Sequence, residues 1–269
     1  MELVAPSRWL CVDFISDLHL QASEPLTFQT WSDYLHNTAA DAVFILGDLF
    51  EVWVGDDVLS LQAGFEQQCA EVLRAAAARV DLYIMCGNRD FLMGAELMAA
   101  CECTLLEDPS VLAFADQRWL LTHGDALCLD DTDYMQFRAR VRSALWQQEF
   151  LNKPLAERLE LARAIRTQSE ARKRTDTVYA DVDFEAANAV LRSVDAAHMV
   201  HGHTHRPARH LLAEGRERLV LSDWDLCAQP PRAEVLRLRR ASAQKVTDSF
   251  RLERIPPSMA VAGSPSGTR

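Results

Sequence analysis

Ala42-Val43-Phe44-Ile45-Leu46-Gly47-Asp48 runs five apolar residues straight into a glycine and a carboxylate. A short, wholly apolar run closed by glycine is the pattern of a strand buried on both faces, as in a parallel sheet. The pattern recurs. Leu10 to Ile15 leads into Ser16-Asp17-Leu18-His19, and Leu82 to Cys86 leads into Gly87-Asn88-Arg89-Asp90. Trp119 to Thr122 leads into His123-Gly124-Asp125, and Ala197 to Val200 leads into His201-Gly202-His203-Thr204-His205. Helix-like stretches separate the first three runs, Phe65 to Arg79 being the clearest, so strand and helix alternate and an α/β fold is expected. In such sheets the ligand crevice opens at the carboxyl ends of the strands, where these polar clusters fall.

Successive clusters are 31, 40 and 35 residues apart from Asp17 to His123, and then 80 residues separate His123 from His203. The long interval has room for an insertion, predicted over 131–181. Phe137, Val141, Ala144, Leu145 and Gln148 follow helical spacing, as do Leu155, Leu159, Ala162 and Ile165 after Pro154, so two amphipathic helices are expected there. Such stripes also arise from plain core packing. The domain as a whole is placed at 9–254, and 255–269, rich in Pro, Ser and Gly, is expected to be a disordered tail.

Composition sets outer bounds. The 269 residues carry a formal net charge of -11, with 49% hydrophobic and 25% charged residues, ordinary for a soluble globular chain. An acidic balance argues against a nucleic-acid partner. The charge is uneven: Arg138 to Arg174 holds ten basic residues against four acidic, leaving -17 on the remainder. No apolar stretch approaches the length of a membrane span, and Met1 to Leu10 has no apolar h-region, so a cytoplasmic protein without a cleaved signal is expected. Seven cysteines, with no C-x-x-C pair, read as reduced core thiols.

Each cluster alone has a bland reading, since a buried Asp or His is commonly a satisfied core or turn residue. Five together at strand ends are harder to set aside. In an extended strand end, Asp17 and His19 would point to one side, where carboxylate and imidazole can share a cation. Asp48, Asn88, His123, His203 and His205 complete a donor set of carboxylate, amide oxygen and imidazole without thiolate, suited to Mn²⁺, Fe²⁺ or Zn²⁺. Seven side chains crowd one ion. Two ions about 3.5–4 Å apart sharing a carboxylate match a hydrolytic two-metal site.

D-x-H, G-D, G-N-x-[DE], H-G and G-H-x-H in this order resemble the calcineurin-like metallophosphoesterase family, over roughly Trp9 to Asp225. The resemblance implies a sandwich of β-sheets flanked by helices. It also implies that Asp17, His19 and His205 hold one metal and Asn88, His123 and His203 the other, with Asp48 bridging. A hydroxide between the cations would then be the nucleophile. Many family members have His after G-N; here Arg89 stands there. An arginine is no general acid near pH 7, but its fork can hold phosphate oxygens, which fits a leaving group needing little protonation. A structural pairing of Arg89 with Asp90 is the plainer alternative.

ILGDLFEVWVGDD from Ile45 to Asp57, with GNRDFL, HGDALCLDD and HGHTHRP, resembles the branch of that family that cleaves UDP-2,3-diacylglucosamine. That likeness implies two Mn²⁺ ions, attack on the uridine-side phosphorus, and release of UMP and 2,3-diacylglucosamine 1-phosphate. It places the enzyme at the cytoplasmic face of the inner membrane and requires no protein partner. Catalytic roles fall to Asp48, Asn88, Arg89 and His123, and substrate contacts to Asn88, Arg89, Asp131, Ser169, Lys173 and His203. The chain departs from the pattern at Arg172-Lys173-Arg174-Thr175-Asp176, where Asn and Lys are common. The helical insertion would be a lid, its apolar side chains sheltering acyl chains and its basic ones facing phosphate or anionic headgroups. An enzyme for soluble nucleotides is the alternative, and a metal-site relic acting as an interaction module is a third reading.

Overall fold

The computed structural model describes residues 1–61, 63–175, 180–241 and 249–261, with the side chains of 167–175 outside the description. Among the described residues there are twelve strands: β1 Glu2–Val4, β2 Cys11–Ile15, β3 Ala42–Leu46, β4 Asp81–Met85, β5 Thr104–Leu106, β6 Ser110–Phe114, β7 Gln117–Thr122, β8 His198–His201, β9 Ala208–Leu211, β10 Glu217–Val220, β11 Val235–Arg240 and β12 Phe250–Ile255. The helices are α1 Pro25–Asn37, α2 Phe65–Ala77, α3 Ala95–Cys101, α4 Thr132–Val141, α5 Ala144–Leu151, α6 Leu155–Thr175 and α7 Phe184–Ser193. All five apolar runs that precede a polar cluster are strands: β2, β3, β4, β7 and β8.

Two six-stranded sheets form, ordered β1-β6-β7-β8-β10-β9 and β12-β11-β2-β3-β4-β5. Strands β2 to β5 run parallel, as do β7, β8 and β10, so the ends carrying the polar clusters face the same way within each sheet. Strand periodicity sorts their side chains between layers. Val12, Phe14, Phe44 and Leu46 join Leu112, Trp119, Leu121 and Val200 in a core between the sheets. Ile15, Val43, Ile45 and Ile84 face outward into a second core with Trp31 and Leu35 of α1, Leu73 of α2 and Leu97 of α3. Leu120 and Met199 pack with Ala187 and Leu191 of α7 on the far side. The architecture is therefore the predicted sandwich of β-sheets between helices.

Asp13 is the polar exception on β2. It is fully buried, accepts two hydrogen bonds from Arg237 of β11 at 2.7 Å each, and accepts others from Tyr34 Oη at 2.9 Å and Thr38 Oγ1 at 3.1 Å. Arg237 Nη2 also donates to the Ala260 carbonyl at 2.6 Å.

Three boundaries differ from the sequence reading. The fold begins before residue 9, because β1 pairs with β6. The expected tail does not start at 255: a 3-10 turn at Pro257–Met259, a bridge from Val261 to Thr38 and the full burial of Ala260 hold 256–261 against α1. Arg237 and the Ala39 backbone N–H both reach the Ala260 carbonyl, an anchoring that composition does not reveal. Residues 262–269 lie outside the described residues. Finally, the first predicted helix of the insertion is two, α4 and α5, because Ser143 leaves helical geometry and its hydroxyl caps the Trp146 backbone N–H.

The apolar stripe of the insertion is divided as well. Val141 and Phe150 are buried, and Trp146, Leu155, Leu159 and Ala162 pack against the outer core, with Trp146 stacked on Phe150. Phe137, Leu145, Leu151, Leu161 and Ile165 remain exposed. All seven cysteines are free thiols, Cys227 being exposed and the rest buried or half-buried. Among the described residues no helix is long and apolar enough to cross a membrane.

Candidate active site

The parallel strands deliver Asp17 after β2, Asp48 after β3, Asn88 after β4, His123 after β7, and His203 and His205 after β8 to one place. Ligand atoms of Asp17, His19 and His205 all lie within 4.8 Å of one another, and so do those of Asp17, Asp48 and His123. Asn88 Oδ1 lies 2.9 Å from His123 Nε2 and 2.8 Å from His203 Nδ1. All seven predicted donors therefore converge; Asp17 belongs to both groups, and Asp48 lies in the second with its Oδ2 4.0 Å from His19 Nδ1.

They do not converge by strand pleat. Asp17, His19, Asp48, His203 and His205 all have left-handed backbones, with φ of 53°, 48°, 52°, 67° and 53°. Such values are uncommon outside glycine and cluster at functional sites, where surrounding contacts over-determine them. Here the contacts are visible. Asp17 N–H donates to the Gly47 carbonyl at 3.1 Å, His19 N–H to the Asp48 carbonyl at 3.0 Å, and His203 N–H to the Asp17 carboxylate at 2.9 Å. The expectation that Asp17 and His19 share a side because they continue an extended strand is thus corrected: tight loops turn both inward.

The donor set fits divalent cations. His19 Nε2 and His205 Nε2 face each other at 3.2 Å, with Asp17 Oδ1 3.2 Å from the latter. His123 Nδ1 lies 2.9 Å from the Leu46 carbonyl, which leaves Nε2 turned toward Asn88 Oδ1 and, at 3.6 Å, Asp48 Oδ1. Imidazole lone pairs and oxygen acceptors aimed at common points are satisfied together by a cation and poorly by one another. Electrostatics agree. Burial and the Asp17 charge push the Asp48 carboxyl up. Burial acts the same way on Asp17, but His205, His123 and His19 outweigh it and hold that carboxyl far below its usual range. Burial opposes the His123 imidazolium, yet Asp48, Asp17 and Asp125 lift it to about 9. Burial and the neighbouring His123 charge press His203 down to about 3. Burial and Arg89 hold His19 well below its normal value.

Arg89 is at the rim of this cluster. Its Nη1 donates to Glu51 Oε2 at 2.6 Å and its Nε is 3.6 Å from Asp48 Oδ2. The alternative pairing with Asp90 is not what forms. Asp90 is fully buried and accepts from the backbone N–H groups of Leu49 at 2.7 Å, Phe50 at 3.3 Å and Gly87 at 2.7 Å, bracing the loops that carry Asp48 and Asn88 against each other. Burial and the Asp48 charge raise its carboxyl to about 7.

The insertion is latched to the same floor. Asp125 accepts from Tyr134 Oη at 2.5 Å and Arg138 Nε at 2.8 Å, both on α4; Tyr134 stacks on His203 at 5.9 Å, and Arg142 Nη2 donates to the Gly87 carbonyl at 2.9 Å. Asp131 is exposed at the start of α4, where its carboxylate caps the Tyr134 backbone N–H at 3.0 Å. Ser169 and Lys173 belong to α6, and their side chains lie outside the described residues. Sequence reading missed Glu51, Asp90, Asp125, Tyr134 and Arg166. Glu51, Asp90 and Asp125 sit inside the quoted motifs, which was their only signal.

The calcineurin-like phosphoesterase family model matches residues 12–207. The chain belongs to this family. Among curated relatives, the UDP-2,3-diacylglucosamine hydrolase of Bordetella pertussis is 43% identical over 236 residues, covering 85% of this chain and 92% of the relative. That of Chromobacterium violaceum is 46% identical over 221 residues, covering 80% and 91%. Among solved structures, Vps29 of Entamoeba histolytica with zinc aligns at 16% identity and a TM-score of 0.44, over 92% of this chain and 99% of that one.

Proposed function

We propose that this calcineurin-like phosphoesterase hydrolyses the pyrophosphate bond of UDP-2,3-diacylglucosamine, giving UMP and 2,3-diacylglucosamine 1-phosphate, as a step of lipid A biosynthesis. The observation that carries it is the placement of Arg89, whose guanidinium reaches the Asp48 carboxylate at the edge of seven converged donors. The names of relatives more than 40% identical over most of the chain supply the substrate.

In this reading Asp17, His19 and His205 would hold one Mn²⁺ and Asn88, His123 and His203 the other, with Asp48 contributing to both; Fe²⁺ and Zn²⁺ suit the same donors. Ions bound there would supply charge neutralisation at the phosphoryl group and a water of lowered pKa. Arg89 orients the diphosphate as a fixed fork of donors and carries no proton to the leaving group. None is needed, because the leaving oxygen belongs to a phosphate monoester. The Leu46 carbonyl keeps the His123 ring in one orientation, and Asn88 sets its side-chain oxygen between His123 and His203. Asn88, Arg89, Asp131, Ser169, Lys173 and His203 contact the substrate. The exposed apolar residues of the 131–181 insertion shelter the acyl chains, and its basic residues meet the anionic cytoplasmic face of the inner membrane, where the protein binds peripherally.

Hydrolysis in ¹⁸O water tests the chemistry. New label in UMP is expected, since the water oxygen forms the new bond to the uridine-side phosphorus as the bond to the bridging oxygen breaks. Label in the sugar 1-phosphate would overturn it. Equal turnover of diacylated and deacylated UDP-sugars would instead favour an enzyme for soluble nucleotides. Asp48→Ala and His123→Ala should each lower turnover by about 10²–10³-fold or more.

A further inference from the structure

Glu51, three residues past Asp48, lies inside the Ile45 to Asp57 motif without a role assigned to it there, yet its one carboxylate meets three functional parts of the molecule. Its Oε2 accepts from Arg89 Nη1 at 2.6 Å and lies 3.5 Å from His19 Nδ1, and its Oε1 accepts from Arg166 Nη2 on α6. His19 Nδ1 is buried without a hydrogen-bond partner, while the ring's other nitrogen faces His205. A metal-ligating imidazole normally donates its second N–H to a carboxylate or carbonyl that fixes the ring. Among the described residues Glu51 is the nearest carboxylate to that atom, at 3.5 Å against 4.0 Å for Asp48 Oδ2.

We propose that Glu51 is a positioning residue that couples the metal centre to the insertion: it orients His19 through Nδ1 and, by holding Arg166, seats helix α6 over the site. The charge arrangement makes the coupling reciprocal. Without the carboxylate, the Arg89 and Arg166 guanidinia would each lose the Glu51 charge that offsets them near the cations, so metal loading and seating of α6 would oppose each other. With it, each supports the other, and a coupling free energy acts equally in both directions. The inference rests on the assignment of His19 as a metal ligand, which is tested separately below.

The experiment measures Mn²⁺ affinity by calorimetry and backbone amide exchange of 155–166 with and without Mn²⁺, on the full chain, with no substrate present. His19→Ala should lose affinity; an unchanged affinity would refute the metal-site assignment itself. In the wild type, Mn²⁺ should slow exchange of α6. Glu51→Gln is nearly isosteric and should weaken Mn²⁺ about 10–100-fold and abolish the metal-dependent slowing. Glu51→Asp, which keeps the charge with a shorter reach, should recover part of the affinity. Arg166→Gln should abolish the slowing while affinity stays within about threefold, because the tether is lost and the His19 contact is kept. Wild-type affinity and wild-type protection in Glu51→Gln would overturn the proposal, as would retained protection in Arg166→Gln.

Discussion

Gly87 abuts the carboxylate of Asp48: a β-carbon at Gly87 would stand 2.1 Å from Asp48 Oδ1 and 2.3 Å from its backbone nitrogen. No flexible side chain could give way there. Asp48 is itself held in a left-handed turn behind Gly47, whose φ is 89°. Gly87→Ala should therefore displace the Asp48 carboxylate, destabilise the fold by about 1–3 kcal/mol, and strip the protein of bound metal. Elemental analysis and thermal melting check this, and a metal-replete Gly87→Ala protein would show that the contact is dispensable.

Asp125 is predicted to hold α4 in place rather than to act on substrate. Asp125→Asn keeps the shape of the side chain but removes the charge paired with Arg138 and bound by Tyr134. Hydrogen bonds to charged groups contribute about 1.5–3 kcal/mol, so amide exchange in α4 should rise roughly tenfold or more. Tyr134→Phe should give a smaller rise. Exchange indistinguishable from wild type in Asp125→Asn would exclude the latch.

Stability should carry a pH signature from His201. Burial, with Arg218 adding to it, lowers this imidazole to about 4. Between the unfolded value of about 6.5 and the folded value, the unfolded chain takes up the proton that folded His201 refuses, so stability is full above that window and falls as pH falls through it. Denaturation of the wild type and of His201→Gln in chelator, from pH 7 to pH 4, should give a flatter curve for the variant. Parallel curves would show that His201 plays no part.

The buried pair of Arg237 and Asp13 joins β11 to β2 and anchors Ala260. Removing one partner strands the other charge inside the protein, and Arg237→Met should cost about 3–5 kcal/mol. Arg237→Met combined with Asp13→Leu should cost less than Arg237→Met alone. Urea titrations decide it: a double variant less stable than the single would mean that packing, not charge, is what the pair supplies.

The places of five strands along the chain and the chemical identity of the candidate metal donors were legible because buried parallel strands are largely apolar runs, and their ends announce themselves by an abrupt change of polarity. That local code covers β2, β3, β4, β7 and β8 and all seven donors. It does not cover backbone sign. Five of those donors turn inward through positive φ, a conformation held by hydrogen bonds from loops far away in sequence, and no periodicity encodes it. The same limit hid Glu51, Asp90 and Asp125, whose roles consist of partners on other elements, and the anchoring of Ala260 by Arg237. Apolar pattern is a property of neighbours in the chain and specified the layers. Charge pairing and turn conformation depend on neighbours in space, so tertiary structure alone decided how the donors are aimed and how the insertion is fastened above them.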